Sequence, residues 1–145
     1  MGPYSTDQNE FNSLLLSDEQ KRWAEEVYWD LPKKIRRLIE RYHLTLDYSP
    51  RHYPDKDEIA YFIKPNLIEF NRDYNAHLLK KDFFIGALTH EVGHFYIFTM
   101  NRLKKKIYLI LFKGDKELLA DHFARKFGFS KENEIIKKIQ SSPIK

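Results

Sequence analysis

Two histidines and a glutamate lie at a spacing that is suited to binding a metal ion. In the segment His90-Glu91-Val92-Gly93-His94 the two histidines are four residues apart, and positions i and i+4 of a helix lie on the same face. Both imidazoles can therefore reach one ion, and Glu91 lies beside them, where its carboxylate can take a proton from a water that the metal activates. This HExxH pattern predicts one Zn2+ per chain, with His90 and His94 as ligands and Glu91 as the general base.

The helix that is predicted to carry the motif runs from about Asp82 to Met100 and is apolar around nearly its whole circumference. Such a helix, too short to span a bilayer, is expected to lie buried at the centre of a domain. Three ionisable groups buried on it would cost on the order of several kcal/mol, and a bound metal would remove that cost. Gly86 and Gly93 would let neighbouring backbone approach this helix closely.

A catalytic zinc site takes three protein ligands and leaves one position open. The metzincin continuation of the motif is absent, because Ile97 and Met100 stand where it has a glycine and a third histidine. Further along the chain, Glu117 and Asp121 are four residues apart near the start of another predicted helix. These two carboxylates share one face of that helix, and Ala120 leaves room for close helix packing.

These motifs resemble those of the gluzincins, metallopeptidases in which HExxH is followed by a glutamate ligand on a second helix, often as E-x-x-A-D. The resemblance covers roughly residues 58–128. The chain length and the short spacing from His94 to Glu117 look like the minimal soluble gluzincins, or minigluzincins, whose fold is similar to the catalytic domains of membrane-embedded peptidases. ImmA/IrrE-type proteases, which act on repressors, have a similar spacing and an E-x-x-A-[ND]-x-F-A helix, which the segment ELLADHFA matches closely.

The resemblance implies a role for each acidic residue of the second helix. Glu117 would be the third zinc ligand, and Asp121 would orient a ligand histidine through its free ring nitrogen. Asp121 and His122 remain open as substitute ligands. A peptidase also needs a hydrogen-bond donor for the oxyanion of the tetrahedral intermediate, and His122, Tyr96 and Tyr108 are candidates because they are near the motif in sequence.

The elements predicted around these motifs are helices, then a small sheet, then helices, which is the order of an α+β domain. A capping box at Ser17 to Gln20 opens a helix to about Asp30, and Pro32 opens a second helix. Three strands are predicted at 44–48, 59–63 and 67–70, followed by a polar loop before the HExxH helix. Either of the last two strands could be the sheet edge that binds an extended substrate.

The rest of the chain is predicted as follows. Residues 107–112 fit either a strand or a buried helical turn. Asp115 caps a helix that ends at Gly128, and Ser130 caps a last helix to about Gln140. We therefore expect a flexible tail at 1–16 and a single metallopeptidase domain at 17–145, with its core at about 44–128. A sheet of about three strands would pack on the central HExxH helix, with N- and C-terminal helices flanking it.

Composition excludes several other kinds of site. The 145 residues contain no cysteine, which rules out disulfides, thiolate metal sites and a cysteine nucleophile. We find no signal peptide at the start and no apolar run long enough to cross a bilayer, so the protein is expected to be soluble and cytoplasmic, without membrane insertion. Residues 100–145 carry twelve basic and five acidic side chains. This basic third could attract nucleic acid, although we recognise no nucleic-acid-binding motif.

The function that the sequence predicts is a zinc-dependent endopeptidase acting on a protein or peptide substrate. Two alternatives remain open: an ImmA/IrrE-type regulatory protease or DNA-associated zinc protein with one specific partner, and a structural zinc site with four ligands. The isolated protein is also expected to be latent, with either the acidic N-terminal segment or the tail at 140–145 lying across the metal cleft. The sequence leaves the oligomeric state open.

Overall fold

The computed structural model describes residues 15–50 and 58–141. The elements follow one another as α1 (Asp18–Asp30), α2 (Lys33–Tyr42), β1 (Thr45–Tyr48), β2 (Ala60–Ile63), β3 (Leu67–Phe70), a 3-10 turn (Arg72–Tyr74), α3 (Asn75–Leu78), α4 (Lys81–Thr99), α5 (Arg102–Leu111), α6 (Lys116–Lys126) and α7 (Ser130–Ser141). The predicted α+β order is confirmed. The segment predicted as a polar loop after β3 contains the 3-10 turn and α3 instead, because the Asn71 side chain accepts a hydrogen bond from the Asp73 N–H and so caps that turn.

The predicted capping box begins α1 and also ties it to the rest of the fold. Ser17 Oγ accepts from the Gln20 N–H at 3.0 Å, and Gln20 Oε1 accepts from the Ser17 N–H at 2.9 Å. The Gln20 amide is buried, and its nitrogen donates to the Leu78 carbonyl at 2.8 Å and the Tyr48 hydroxyl at 2.9 Å. One side chain therefore caps α1 and joins it to β1 and α3.

The sheet has three strands in the order β1-β3-β2. β1 runs parallel to β3, and β2 runs antiparallel to it. The Asn71 N–H donates to the Ile59 carbonyl at 2.8 Å and continues this antiparallel pairing beyond the strand ends. Because β3 lies in the middle, only β2 of the two strands proposed as a substrate edge is an outer strand of the sheet that the described residues form.

Helix α4 is the centre of the core, as predicted. Thirteen of its nineteen residues are buried, so nearly its whole circumference packs against other elements. It contacts α1, α2, α3, α6, α7 and β2, and its rings Phe84 and Phe95 are fully buried. Phe84 stacks on Phe70 of β3 with ring centroids 5.0 Å apart, which fixes the sheet on one side of the helix.

The two glycines of α4 mark its closest helix contacts. A Cβ built on Gly93 would lie 2.6 Å from the Ala120 carbonyl oxygen and 3.0 Å from its Cα, and one built on Gly86 would lie 2.4 Å from the Glu132 carbonyl oxygen. Side chains do not approach backbone atoms this closely. Gly93 therefore lets α6 pack directly against α4, and Gly86 does the same for α7.

The segment 107–112 differs from both structures predicted for it. It belongs to the helix α5 and its C-terminal turn, and none of the residues of α5 is buried. Tyr108 and Phe112 pack towards α6, whereas Ile107, Ile110 and Leu111 face solvent. A short apolar run can fill two opposite faces of a helix, and only the packing decides which face is covered. Among the described residues, no helix is long and apolar enough to cross a membrane.

The glycine contact gives a testable stability prediction. Gly93→Ala should lower the free energy of unfolding by about 1–3 kcal/mol, because the methyl group forces α6 away from α4 and this outweighs the gain in helix propensity. Gly86→Ala is the matched variant, since it disturbs α7 instead of α6. Urea denaturation of both variants and the wild type measures the cost. An unchanged midpoint for Gly93→Ala would contradict the close contact with Ala120.

Candidate metal centre

Two helices supply the side chains of the candidate site. On α4 the i, i+4 spacing places His90 and His94 on one face, with their ring centroids 4.9 Å apart. On α6, Asp115 caps the first turn by accepting hydrogen bonds from the N–H groups of Glu117 at 2.9 Å and Leu118 at 3.2 Å. This cap begins the helix one residue before Glu117. The Glu117 carboxylate therefore lies at the N-terminal end of α6, above the two histidines.

The three predicted ligands converge on one point. Glu117 Oε1 lies 3.0 Å from His90 Nε2, and Glu117 Oε2 lies 2.9 Å from His94 Nε2. One donor atom from each of His90, His94 and Glu117 can be chosen such that all lie within 4.8 Å of one another. The structure therefore brings together a group that could hold a metal ion.

The donor set fits a zinc ion in chemistry and in size. Two imidazole nitrogens and one carboxylate oxygen form a ligand set that catalytic zinc sites use. Ligand atoms around a tetrahedral zinc with bonds of about 2.0–2.1 Å lie roughly 3.3 Å apart. The observed separations of 2.9 and 3.0 Å need to open only slightly, and the side chain of Glu117 is 70% exposed.

Asp121 lies on the other side of the His90 ring. Its Oδ1 is 2.7 Å from Nδ1 of His90, so that Nδ1–H donates to the carboxylate and Nε2 is left facing Glu117. The second oxygen of Asp121 is 3.3 Å from Nζ of Lys137 on α7. As Asp121 faces Nδ1 rather than the point where the three donor atoms meet, its position suits orientation of the ring better than direct ligation.

The Glu91 carboxylate is buried at the edge of this group. Its side chain is 8% exposed, and Oε2 lies 4.0 Å from His90 Nε2. Burial raises the pKa of Glu91 to about 7, although the neighbouring His90 and His94 lower it. A carboxyl group with a pKa near neutrality can both accept and return a proton at physiological pH.

The surrounding charges shift the other groups strongly. Burial lowers the pKa of His90, but the hydrogen bonds to Asp121 and Glu117 more than offset this and raise the pKa to about 10. The hydrogen bonds from His90 and His94 hold the pKa of Glu117 far below its usual range. Burial raises the pKa of Asp121, yet the hydrogen bond from His90 outweighs it and lowers the pKa overall. The site thus holds Glu117 and Asp121 as carboxylates.

A cavity of about 170 Å3 opens beside these residues. One wall is α4, and the opposite wall is the start of β2 with the two residues before it. Glu58 and Tyr61 line this cavity, and neither was predicted as a site residue. No spacing pattern in the sequence links them to a motif some thirty positions away, and only the packing of β2 on α4 places them there. Ile136 of α7 lines the cavity as well.

The three candidate oxyanion donors lie elsewhere. The Tyr96 hydroxyl accepts from Lys104 Nζ at 3.2 Å, and the rings of Tyr96, Tyr108 and His122 each pack against Phe123 with centroids 4.8–5.2 Å apart. None of the three is among the described residues that line the cavity. They form an aromatic cluster between α4, α5 and α6. Tyr96 is two residues after His94 and His122 is one residue after Asp121, so both lie off the helix faces that carry the candidate ligands.

The segments expected to cover the cleft lie mostly outside the described residues, which exclude 1–14 and 142–145. Latency therefore stays a prediction.

Comparisons of this chain with models of known protein families, with curated proteins and with solved structures give no match.

The first prediction from the site concerns metal content. Protein grown in zinc-replete medium should carry about one zinc per chain, and His90→Ala or His94→Ala should remove it, because either change leaves only two ligands. Elemental analysis of the purified proteins gives the ratio. His77→Ala on α3 is the matched control, since this histidine packs between Tyr74 and Phe83 instead. Wild-type protein without zinc would contradict the assignment.

The second prediction ranks the two carboxylates. Glu117→Ala should weaken zinc binding more than Asp121→Ala, for which a loss of about 10–100-fold is expected because Asp121 touches a ligand and not the ion. Competition against a chromogenic zinc chelator measures both affinities. The opposite ranking would make Asp121 the third ligand.

Proposed function

We propose that this protein is a zinc-dependent endopeptidase that hydrolyses peptide bonds, with His90, His94 and Glu117 as metal ligands and Glu91 as the general base. The observation that carries this proposal is the convergence of the three donor atoms next to a buried carboxylate in an open cavity. When bound, zinc would polarise the scissile carbonyl and acidify a water molecule.

The role of Glu91 is to move protons. Its pKa of about 7 suits a group that first takes a proton from the attacking water and then gives it to the leaving amine. Burial between α4 and the cavity holds the carboxylate in one place and excludes bulk water from it. Removal of this carboxylate should therefore leave binding intact while the hydrolytic step is lost.

Strand β2 supports the binding of an extended substrate. Ile59, Ala60, Tyr61 and Phe62 line the cavity, and β2 is an outer strand of the sheet. Ile59 accepts a hydrogen bond from Asn71, and facing residues alternate along an antiparallel pair, so the backbone groups of Ala60 and Phe62 point away from β3. A peptide could pair with them and lie across the metal centre.

A structural metal site is the main alternative chemistry. The group found among the described residues has three members, whereas structural zinc sites are closed by four protein ligands. A structural site would also leave the buried Glu91 carboxylate without a role, at the cost of its desolvation. The three-ligand arrangement next to a cavity favours catalysis.

The resemblance to minigluzincins and to ImmA/IrrE-type proteases remains part of the proposal. Both classes would use the same residues here, and they differ in whether the substrate is general or one specific partner. Hydrolysis of an unfolded generic protein by the zinc-loaded chain would favour the general endopeptidase. A nucleic-acid-associated role, for which the basic C-terminal third is the reason, stays a prediction.

The test of function is the conservative change Glu91→Gln. It should keep the zinc and the fold but reduce peptide hydrolysis by about 100-fold or more, because the amide cannot accept the proton from water. Cleavage of fluorescently labelled casein, with zinc content measured on the same samples, separates loss of chemistry from loss of metal.

Glu69→Gln on β3 is the matched control, because this buried carboxylate does not line the cavity. It should cleave casein at nearly the wild-type rate. Wild-type activity in Glu91→Gln would show that Glu91 is not the base.

A further inference from the structure

Helix α5 presents an apolar face to solvent. Leu103, Ile107, Ile110 and Leu111 are 70%, 52%, 69% and 69% exposed. They are spaced at i, i+4, i+7 and i+8, so they form one stripe along the helix. We call these four residues the α5 outer face. Four of the nine large exposed apolar side chains among the described residues lie on this single helix, and such a concentration marks an interaction surface.

The helix is held in place by its opposite side. The Tyr108 ring packs against Phe123 with centroids 5.2 Å apart, and Phe112 packs on His122 at 4.9 Å. Asn101 caps the first turn by accepting from the Lys104 N–H at 2.8 Å. The α5 outer face is therefore already formed on a folded helix, and a partner would not have to fold it.

Cations border the α5 outer face on both sides. At 100° per residue, Arg102 and Lys106 lie along one edge of the stripe and Lys104 lies along the other. The ten residues of α5 include four basic side chains and no acidic one. Lys104 also donates to the Tyr96 hydroxyl, so Arg102 and Lys106 are the main cations beside the stripe. An apolar stripe with cations along its edge is the pattern of a helix that lies in a membrane interface.

We infer that the α5 outer face binds the surface of an anionic phospholipid bilayer, with its apolar side chains entering the boundary of headgroups and acyl chains. A bilayer offers both a negative headgroup layer for the cations and an apolar layer for the stripe. A nucleic acid would satisfy the cations but leave four large apolar side chains in water. A second copy of the chain would bring two strongly basic helices together.

The helix that carries the α5 outer face lies next to the candidate site. Lys105 of α5 lines a cavity that His94 and Phe62 also line, and both of these residues line the cavity of the metal centre. α5 also connects the two helices that carry the ligands. Because Lys105 lies on the side of α5 opposite the α5 outer face, the helix itself would stand between the metal centre and the bilayer, and the inference does not require peptide hydrolysis.

The experiment is sedimentation of the full-length protein with vesicles of phosphatidylcholine, with or without about 30% phosphatidylserine. Binding to the anionic vesicles is expected, together with its loss at about 0.5 M salt, because salt screens the attraction of the cations. Arg102→Gln with Lys106→Gln should weaken partitioning by about 25-fold, since each cation contributes about fivefold. Ile107→Gln with Ile110→Gln should weaken it by about tenfold or more.

Matched variants control for charge and hydrophobicity away from α5. Lys33→Gln with Arg37→Gln removes the same charge from α2, and Leu15→Gln with Leu79→Gln removes two exposed apolar side chains elsewhere. Both should keep wild-type partitioning, and circular dichroism should show that all variants fold.

Three results would overturn the inference. The first is a lack of binding to anionic vesicles, whether or not the protein binds duplex DNA in parallel. The second is an equal loss of binding in the control variants. The third is a dimer in sedimentation velocity that Ile107→Gln with Ile110→Gln converts to monomer, which would assign the face to contact between copies.

Discussion

The close packing of α4 against α6 is the contact on which the candidate site depends. Gly93 has no side chain, and the Ala120 backbone therefore lies where a Cβ would otherwise be. This contact sits between the motif histidines on one helix and Glu117 and Asp121 on the other. A larger residue at either position would widen the gap between the helices, and a carboxylate side chain can compensate for only a small displacement.

The same packing creates the electrostatic character of the site. Five ionisable groups from α4 and α6 meet at this contact, and each is either hydrogen-bonded or close to an opposite charge. Burial of an unpaired carboxylate would raise its pKa, and burial of an unpaired imidazole would lower its pKa, so that each would become neutral. Here the pairing keeps His90 protonated and Glu117 and Asp121 ionised. Of the three carboxyl groups, only Glu91 has a raised pKa, of about 7. A divalent cation would replace these proton-mediated contacts with direct ligation.

The route of the chain between the two ligand helices explains the position of α5. After α4 ends at Thr99, the chain must turn before α6 can begin at Lys116. α5 fills this connection and covers the aromatic cluster of Tyr108, Phe123 and His122 with one face only. None of the described residues buries its other face. The chain needs this helix to connect α4 to α6, and the outer side of the helix remains an exposed apolar and basic surface.

Local sequence patterns were sufficient for most of the elements and for the candidate metal-ligand group. The capping box at Ser17 and the alternation in the first strand each reflect short-range physics, so the α+β class and most element boundaries could be predicted. The i, i+4 pairs on two helices likewise specified which side chains could meet. Their catalytic roles stay predictions, because position alone does not report chemistry.

The tertiary structure decided what depends on contacts between distant residues. It made β2 the outer strand, placed Glu58 and Tyr61 in the cavity, and joined Lys137 to Asp121. It turned Tyr96, Tyr108 and His122 into an aromatic cluster away from the cavity. It also left Ile107, Ile110 and Leu111 of α5 in solvent, where the sequence had left open a strand or a buried helical turn. Periodicity reveals that a helix has an apolar face, but only the assembled fold determines whether another element covers that face.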